Sequence, residues 1–445
     1  MELQPRKGNT KARNLFEQLT RRLFRISADV ATIFNLARHA EARESRGNRL
    51  FYYLWLVGPF CLLLERTPAD IWVVLIGVTF LFQISKNEID RTKLEAWHWA
   101  CGAFVLGSLF SAVTSMRPSY STVESLIWLR FPLLALAATV FFRDRRDLFA
   151  GFLLVVGASV LIMFGILSTE LIVEGHKTQS RLTWPYGDLV PGSFLAKFGA
   201  PVFFLLFAQA LTSRSGYNFE KLILCGLFLV FVILTGERMN TLIALCGMFT
   251  IAVFSLKRAT FLLLFTISVL FTLGVLELLG LQLVDRFILQ SMAQLPTGPH
   301  SEYFKIFAPA LITFQDSPII GMGPGNYRFM CPTYGFDIEV FRCDNHPHNF
   351  YIQFLVENGV VGLTLAVLMI GALIGKTFWI ATRNRRNAYG VAGFILPLAV
   401  FFPFSSTADW YGQWNNIFMW AGLAISLSLT AIASDRNSVE TSTNS

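Results

Sequence analysis

Residues 148–168 read LFAGFLLVVGASVLIMFGILS and contain no charged side chain. A helix needs about 20 apolar residues to cross the hydrocarbon core of a bilayer. Lipid offers no partner to open backbone groups, so a helix is the expected form. Similar apolar runs recur along the whole chain, with approximate limits 50–64, 69–85, 95–114, 122–142, 148–168, 192–212, 221–235, 239–256, 259–279, 350–375, 388–404 and 413–431. The pattern predicts an all-α polytopic membrane protein with about 12 transmembrane helices.

The composition supports a membrane protein. Of the 445 residues, 54% are hydrophobic and only 15% are charged, whereas soluble domains carry about 25% charged residues. The mean hydropathy is +0.52. A soluble multidomain enzyme, a disordered chain and a disulfide-rich secreted scaffold are therefore excluded.

The positive charge is concentrated at the N-terminus. The net charge is +8, and residues 1–49 alone hold eleven Lys or Arg against five acidic residues. Such a basic segment is attracted to the anionic lipids of a cytoplasmic leaflet. Its only aromatic residues are three well-separated Phe, too few for the interleaved pattern that stacks on bases, so we expect membrane lipids and no nucleic acid as partners. We divide the chain into a basic cytoplasmic segment (1–49), a transmembrane domain (50–433) and a cytoplasmic tail (434–445).

The basic residues between the runs predict the orientation. With both termini in the cytoplasm, the inner side receives 26 of the 37 basic residues. Most of the inner connections are then rich in Lys and Arg, namely KNEIDRTK (86–93), RDRRD (143–147), SRSGYNFEK (213–221), LKR (256–258) and KTFWIATRNRR (376–386). The longest outer connection, 280–349, lies between helices 9 and 10. Its mixture of Pro, Gly, aromatic and charged residues indicates a segment able to fold.

The densest polar cluster ends this outer connection, with RCDNHPHN at 342–349. Pro is favoured at the first position of a helix, so Pro347 predicts a helix start that places His348 in the first turn. A helix N-terminus disfavours the imidazolium form, and a neutral His can accept a proton as a general base. The alternative interpretation is that His346 and His348 only cap the loop.

Three arginines form a second candidate group. Arg130 lies within the fourth run, Arg238 at the outer turn before the eighth, and Arg181 in the outer segment 169–191. An ionised side chain at membrane depth is a functional hypothesis by default, and guanidinium suits phosphate because it binds two oxygens at once. The group predicts chemistry on a phosphate-bearing substrate at the outer face. The alternative for each is a structural ion pair, for example between Arg238 and Glu237.

The cysteines divide by compartment. Cys331 and Cys343 both lie in the outer connection, where an oxidising environment makes them a candidate disulfide. The others lie in apolar runs and are expected to be small core residues: Cys61, Cys101, Cys225 and Cys246.

Two adjacent motifs resemble a known signature. HNFYIQ (348–353) followed by ENGVVGL (357–363) is similar to the signature of the bacterial O-antigen ligase and O-antigen polymerase family. GMGPGNY (321–327) and TGER (235–238) resemble pieces that precede it in that family. The resemblance covers about 125–365. The family's Asn-Pro-Asn after an outer Arg is missing after Arg181, which weakens the assignment of that residue.

The resemblance implies an all-helical membrane glycosyltransferase of the bacterial inner membrane, with its active site at the periplasmic face. Such an enzyme transfers a glycan from undecaprenyl pyrophosphate with inversion and needs no metal or other cofactor. It implies lipid A–core as acceptor for a ligase and another lipid-linked repeat for a polymerase. The roles it implies are a catalytic base (His348), pyrophosphate binding (Arg238, Arg181, Arg130) and support (Asn349, Glu357, His346).

The same residues allow two rival functions. A polysaccharide transporter needs charges lining a path between both faces, whereas the candidate residues gather at the outer one. A metal-dependent enzyme needs a ligand cluster, for which the candidates are Asp337 with Glu339, or the His346–His348 pair with Asp344 and Asp337. No spacing here matches a known zinc pattern.

Overall fold

The computed structural model describes residues 46–86, 94–174, 181–212, 218–254, 266, 270, 274, 289–296, 298, 301–383 and 385–443. Within these ranges the regular secondary structure is entirely helical. The helices are α1 (Arg46–Leu64), α2 (Arg66–Ser85), α3 (Ala96–Val113), α4 (Pro118–Trp128), α5 (Arg130–Asp144), α6 (Arg146–Glu174), α7 (Val190–Thr212), α8 (Phe219–Leu234), α9 (Arg238–Phe254), α10 (Gln290–Gln294), α11 (Glu302–Phe314), α12 (Tyr327–Met330), α13 (Phe350–Arg383), α14 (Ala388–Val400) and α15 (Trp414–Thr443).

The polytopic all-α class is confirmed. Among the described residues, seven segments are long and apolar enough to cross a membrane, with α4 and α5 together forming one of them. Three shorter helices, α1, α9 and α14, are also apolar. Each predicted run coincides with a helix except the ninth, 259–279, which lies mostly outside the described residues. The total of twelve therefore stays a prediction.

Two helices form the centre of the bundle. The apolar windows of α7 and α15 are 83% and 94% buried within the protein, against 33% for α2. Helices such as α2 therefore present most of their apolar surface to lipid. α15 packs against α5, α14 and the first turns of α7, so side chains of α7 and α15 point into the interior.

Local irregularities interrupt two of the predicted runs. The fourth run is split at Leu129 into α4 and α5, because Pro132 has no amide hydrogen for the carbonyl of Trp128. In α7, residues Phe194–Gly199 form a π-helical turn. Such turns are rare and are found frequently at functional sites.

The described part of the outer connection is folded, as its composition indicated. It contains α10, α11, α12 and a 3₁₀ turn at Cys331–Tyr334. Cys331 is disulfide-bonded to Cys343, with 5.6 Å between their Cα atoms. A small apolar cluster joins this region to α13 and consists of Ala310, Met322, Tyr327, Cys331 and Val356.

Candidate functional site

A cavity of about 320 Å³ lies where α7, α9, α14 and α15 meet the segment 346–350. We call it the first cavity. Three basic side chains line it, Arg181, Lys197 and Arg238, with the single acid Glu237 and the two histidines His346 and His348. The structure thus brings two of the three predicted arginines together with the predicted base. The excess of basic groups suits an anionic ligand.

Arg238 and Glu237 face the cavity without pairing with each other. Among the described residues, Nη1 of Arg238 and Oε1 of Glu237 are buried and have no hydrogen-bond partner. Oε2 of Glu237 accepts from Asn240 Nδ2 at 2.6 Å. Burial raises the pKa of the Glu237 carboxyl to about 7, against the opposing attraction of Lys197 and Arg181. The alternative interpretation, an ion pair between Glu237 and Arg238, is absent from the salt bridges of the described residues.

Gly192 leaves the space that Glu237 occupies. A Cβ atom at this position would lie 2.4 Å from Oε1 of Glu237. The first turn of α7 can therefore approach the turn between α8 and α9 closely only because residue 192 has no side chain.

Lys197 is a site residue to which the sequence prediction assigned no role. It lies in the π-helical turn of α7, with Nζ 3.4 Å from Oγ of Ser193. Ser193 Oγ in turn donates to Oδ1 of Asn415 on α15 at 2.9 Å. A signal was present, because Lys197 is the only charged residue in the apolar run 192–212 and an isolated charge at membrane depth marks a functional position.

The start of α13 differs from the prediction. The helix begins at Phe350, and His348 lies before it in a left-handed backbone conformation with φ of 53°. Oδ1 of Asn349 accepts from the backbone amides of Tyr351 and Ile352 at 3.0 and 3.2 Å. Asn is a strong helix cap, so its side chain fixes the start of the helix there rather than at Pro347. The prediction of His348 within the first turn was wrong.

His348 has a carboxylate partner. Its Nε2 lies 3.1 Å from Oδ2 of Asp344. Asp344 also accepts from Nε and Nη2 of Arg342, at 3.0 and 2.8 Å. The disulfide at Cys343 anchors this short segment to α12 and the 3₁₀ turn. The arrangement is that of a base held in orientation by a neighbouring acid.

His346 lies beside His348, with 4.2 Å between the ring centroids. Burial and the neighbouring His348 lower the pKa of His346 to about 4, so its ring is neutral near pH 7. Its Nε2 lies 3.3 Å from the carbonyl oxygen of Thr407. The amide of Thr407 donates to the carbonyl of His348 at 2.9 Å, and the histidine segment is therefore aligned with residues 401–413.

Asn349 completes this alignment. Its Nδ2 donates to the carbonyl oxygens of Pro403 and Ser405 at 2.8 and 3.3 Å. Asn349 thus supports the site through backbone contacts, in addition to capping α13.

Glu357 is fully buried and anchors the glycine-rich loop. Its Oε1 accepts from the amide of Tyr327 at 3.3 Å, and its Oε2 accepts from Nε2 of Gln353 at 3.0 Å. It does not line the first cavity, so its contacts are those of a supporting residue.

A break in α13 explains the spacing of the glycines. Gly359 has φ of 66°, which diverts the following amides from the helix. The amides of 360 and 361 donate to the carbonyls of 318 and 319, while the amides of 322 and 323 donate to the carbonyls of 356 and 357. A Cβ at Gly359 would lie 2.2 Å from the carbonyl oxygen of Ile319. The segment that ends in GMGPGNY and the motif ENGVVGL therefore pack directly against each other through backbone hydrogen bonds.

Arg130 lies elsewhere. Its Nε donates to Oδ1 of Asp70 at 2.8 Å and its Nη1 to the carbonyl of Ile127 at 2.6 Å. It lines a second cavity, of about 510 Å³, and not the first. The alternative of a structural ion pair, left open by the sequence, describes these contacts of Arg130.

Asp337 and Glu339, two of the acidic residues considered as metal ligands, line neither cavity. Oδ1 of Asp337 accepts from the amide of Glu339 at 3.0 Å in an exposed turn. Among the residues that the structure describes, no group of three or more His, Cys, Asp or Glu is placed to hold a metal ion.

Comparison with known proteins gives one result. No curated protein matched the chain. A protein-family model described as O-antigen ligase matches residues 223–367, a third of the chain that includes Arg238, Glu237, the histidine segment and both glycine motifs. The match confirms the resemblance to the O-antigen ligase and polymerase family of glycosyltransferase-like enzymes over residues 223–367.

Proposed function

We propose that the chain is an O-antigen ligase of the bacterial inner membrane, which transfers a glycan from undecaprenyl pyrophosphate to lipid A–core at the periplasmic face. The observation that carries the proposal is the first cavity, where Arg181, Lys197 and Arg238 converge on a histidine with a carboxylate partner. Both termini are cytoplasmic in this proposal, in agreement with the distribution of basic loops.

The first cavity suits the pyrophosphate of the donor. Its three basic side chains outnumber its single acid, and the buried Nη1 of Arg238 has a free donor among the described residues. Guanidinium binds phosphate oxygens in pairs. These positive groups stabilise the negative charge that develops on the leaving pyrophosphate in the transition state.

An apolar groove of about 200 Å³ continues from the first cavity between α9 and α14. Met239, Ile243, Ala399 and Ser405 line both. Such a groove suits the first isoprene units of a polyprenyl chain, whose remainder lies in the bilayer.

His348 is the proposed general base. The acceptor hydroxyl oxygen forms a bond to the anomeric carbon, while its proton passes to the imidazole of His348. The bond from that carbon to the pyrophosphate oxygen breaks, and its electron pair leaves with the pyrophosphate. Attack opposite the leaving group inverts the anomeric configuration.

Positive side chains take the place that a divalent ion occupies in many pyrophosphate-releasing enzymes, so we propose that the reaction needs no metal. Transfer by the purified enzyme should continue in excess EDTA. Loss of transfer in EDTA and its recovery with Mg²⁺ or Mn²⁺ would contradict this part of the proposal.

A deletion strain distinguishes a ligase from a polymerase. For a ligase, gels of its lipopolysaccharide should lack every glycan chain on lipid A–core, while lipid-linked polymer accumulates. A single repeat remaining on the core would identify a polymerase instead. Complementation with the wild-type gene, and with the His348→Ala variant as the inactive control, links the result to this site.

A further inference from the structure

The second cavity adjoins the first but has a different character. It lies among α2, α4, the residues around α12 and the segment 408–415. Both cavities are lined by His346, Ala408 and Asn415. These three residues therefore form the boundary between the two cavities. Its volume of about 510 Å³ falls within the usual range for small-molecule sites, about 300–1,000 Å³.

The charges of the second cavity are balanced. Three basic residues, Arg66, Arg130 and Arg328, face three acidic residues, Asp70, Glu124 and Asp409. Arg130 pairs with Asp70 and Arg328 pairs with Asp409. Such a lining offers both donors and acceptors without a net charge. It suits a polyhydroxylated ligand better than a phosphate, which needs an excess of positive charge.

The side-chain amide of Gln353 holds part of this lining in place. Nε2 of Gln353 donates both to Oδ1 of Asp409, at 2.6 Å, and to Oε2 of Glu357, at 3.0 Å. Its Oε1 accepts from the amide of Trp410 at 2.9 Å. Gln353 therefore links the motif that starts α13 to an acidic group of the second cavity.

We propose that the second cavity binds the glycan of the acceptor, so that its hydroxyl meets the donor sugar at the boundary formed by His346, Ala408 and Asn415. The inference rests on the proposed glycosyl transfer. Inversion requires the nucleophile and the leaving group on opposite sides of the anomeric carbon, and two cavities that meet at His346 provide two such sides. In this assignment Arg130 contributes to the acceptor site, and not to pyrophosphate binding as the sequence predicted.

Steady-state kinetics with purified enzyme test the assignment. The donor is lipid-linked glycan extracted from the same cells, and the two acceptors tried are lipid A–core and a lipid-linked repeat. The variants are Arg66→Ala, which removes an exposed side chain that donates to Gln413, and the isosteric Glu124→Gln. Arg117→Ala is the matched control, since Arg117 is exposed, contacts the Phe329 ring and lines neither cavity. Hydrolysis of the donor without glycan acceptor, in which water takes the glycan and undecaprenyl pyrophosphate is released, reports separately on the donor site.

The two cavity variants should raise the KM for the acceptor about ten- to a hundredfold, the effect expected for losing a hydrogen bond with a charged group. Their donor KM and acceptor-independent release should match those of the wild type and of Arg117→Ala, which also shows that they are folded. An increase in donor KM, or an unchanged acceptor KM, would overturn the assignment while leaving the transferase proposal intact. If the wild-type enzyme transfers glycan to neither acceptor, the proposed function itself fails.

Discussion

His348 Nε2 and Asp344 Oδ2 lie 3.1 Å apart, four positions from each other in a segment that is not helical. A carboxylate can only accept hydrogen bonds, so in this contact the neutral imidazole carries its proton on Nε2. Nδ1 is then the acceptor nitrogen. The pair therefore selects the tautomer in which Nδ1 can take a proton from a hydroxyl group.

We expect His348→Ala to lower transfer by about 10²–10⁴-fold, the usual contribution of a general base, with normal expression and membrane insertion. Asp344→Asn should lower kcat with little change in the donor KM, because it disturbs the orientation of the base and not pyrophosphate binding. His346→Ala should be milder. Substantial transfer by purified His348→Ala would exclude the base role.

Donor binding should depend on pH through Glu237. Its carboxyl has a pKa of about 7, so it is mostly ionised at pH 8 and mostly neutral at pH 6. Protonation removes a negative charge from a cavity with three basic side chains, and affinity for pyrophosphate should rise as the pH falls. At about 10 Å and an effective dielectric constant of ~20, one charge changes the binding free energy by about 1.5 kcal/mol, or on the order of tenfold in Kd.

Binding of undecaprenyl pyrophosphate to purified protein between pH 6 and 8 measures this effect. Glu237→Gln should bind at pH 8 as tightly as the wild type does at pH 6, with a flatter profile. The difference between the two proteins at each pH removes the contribution of the other titrating groups. Identical profiles would show that Glu237 does not control the charge of the cavity.

The disulfide between Cys331 and Cys343 should contribute about 2–3 kcal/mol by restricting the unfolded chain over a closed loop of this length. Mass spectrometry of unreduced protein should detect the cross-linked peptides. Replacing both residues by Ser should lower transfer as well as stability, since Cys343 precedes Asp344. Alkylation of both thiols in protein from an oxidising compartment would contradict the pairing.

Gly359 should tolerate no side chain. Gly359→Ala places a residue at φ of 66°, which costs roughly 1–2 kcal/mol, and its Cβ would lie 2.2 Å from Ile319 O. The variant should unfold at a lower temperature in detergent. Gly371→Ala is the control, because it lies in the same helix with nothing within 4 Å of the added atom. Equal stability of the two variants would show that the contact between α13 and the glycine loop is not required.

The sequence predicted the class of fold because apolar runs long enough to cross lipid have few other solutions. It also predicted the members of the site that lie in recognisable motifs, such as His348 and Arg238. It could not place Arg130, since the cavity that a side chain faces depends on the rotation of each helix. The start of α13 was misplaced because two capping signals compete there, and the side chain of Asn349 satisfies two amides whereas Pro347 satisfies none.

The last prediction is that Lys cannot replace Arg238. Arg238 begins α9 and lines the same cavity as His348, and its Nη1 has no partner among the described residues. Lys keeps the positive charge but loses the planar arrangement that holds two phosphate oxygens. Losing one preorganised contact to developing charge costs about 2.7–4 kcal/mol, or 10²–10³ in rate. Arg238→Lys should therefore lose much of the activity that Arg238→Ala loses.

Glu237→Gln provides the control for a structural role of Arg238. The two side chains are neighbours in sequence, yet Glu237 accepts from Asn240 and makes no salt bridge with Arg238 among the described residues. Glu237→Gln should therefore retain transfer, whereas Arg238→Ala should not. Arg238 would instead stabilise the turn, and not bind the pyrophosphate, if Arg238→Lys turned over at the wild-type rate. The same conclusion would follow if Glu237→Gln lowered the transfer rate as much as Arg238→Ala does.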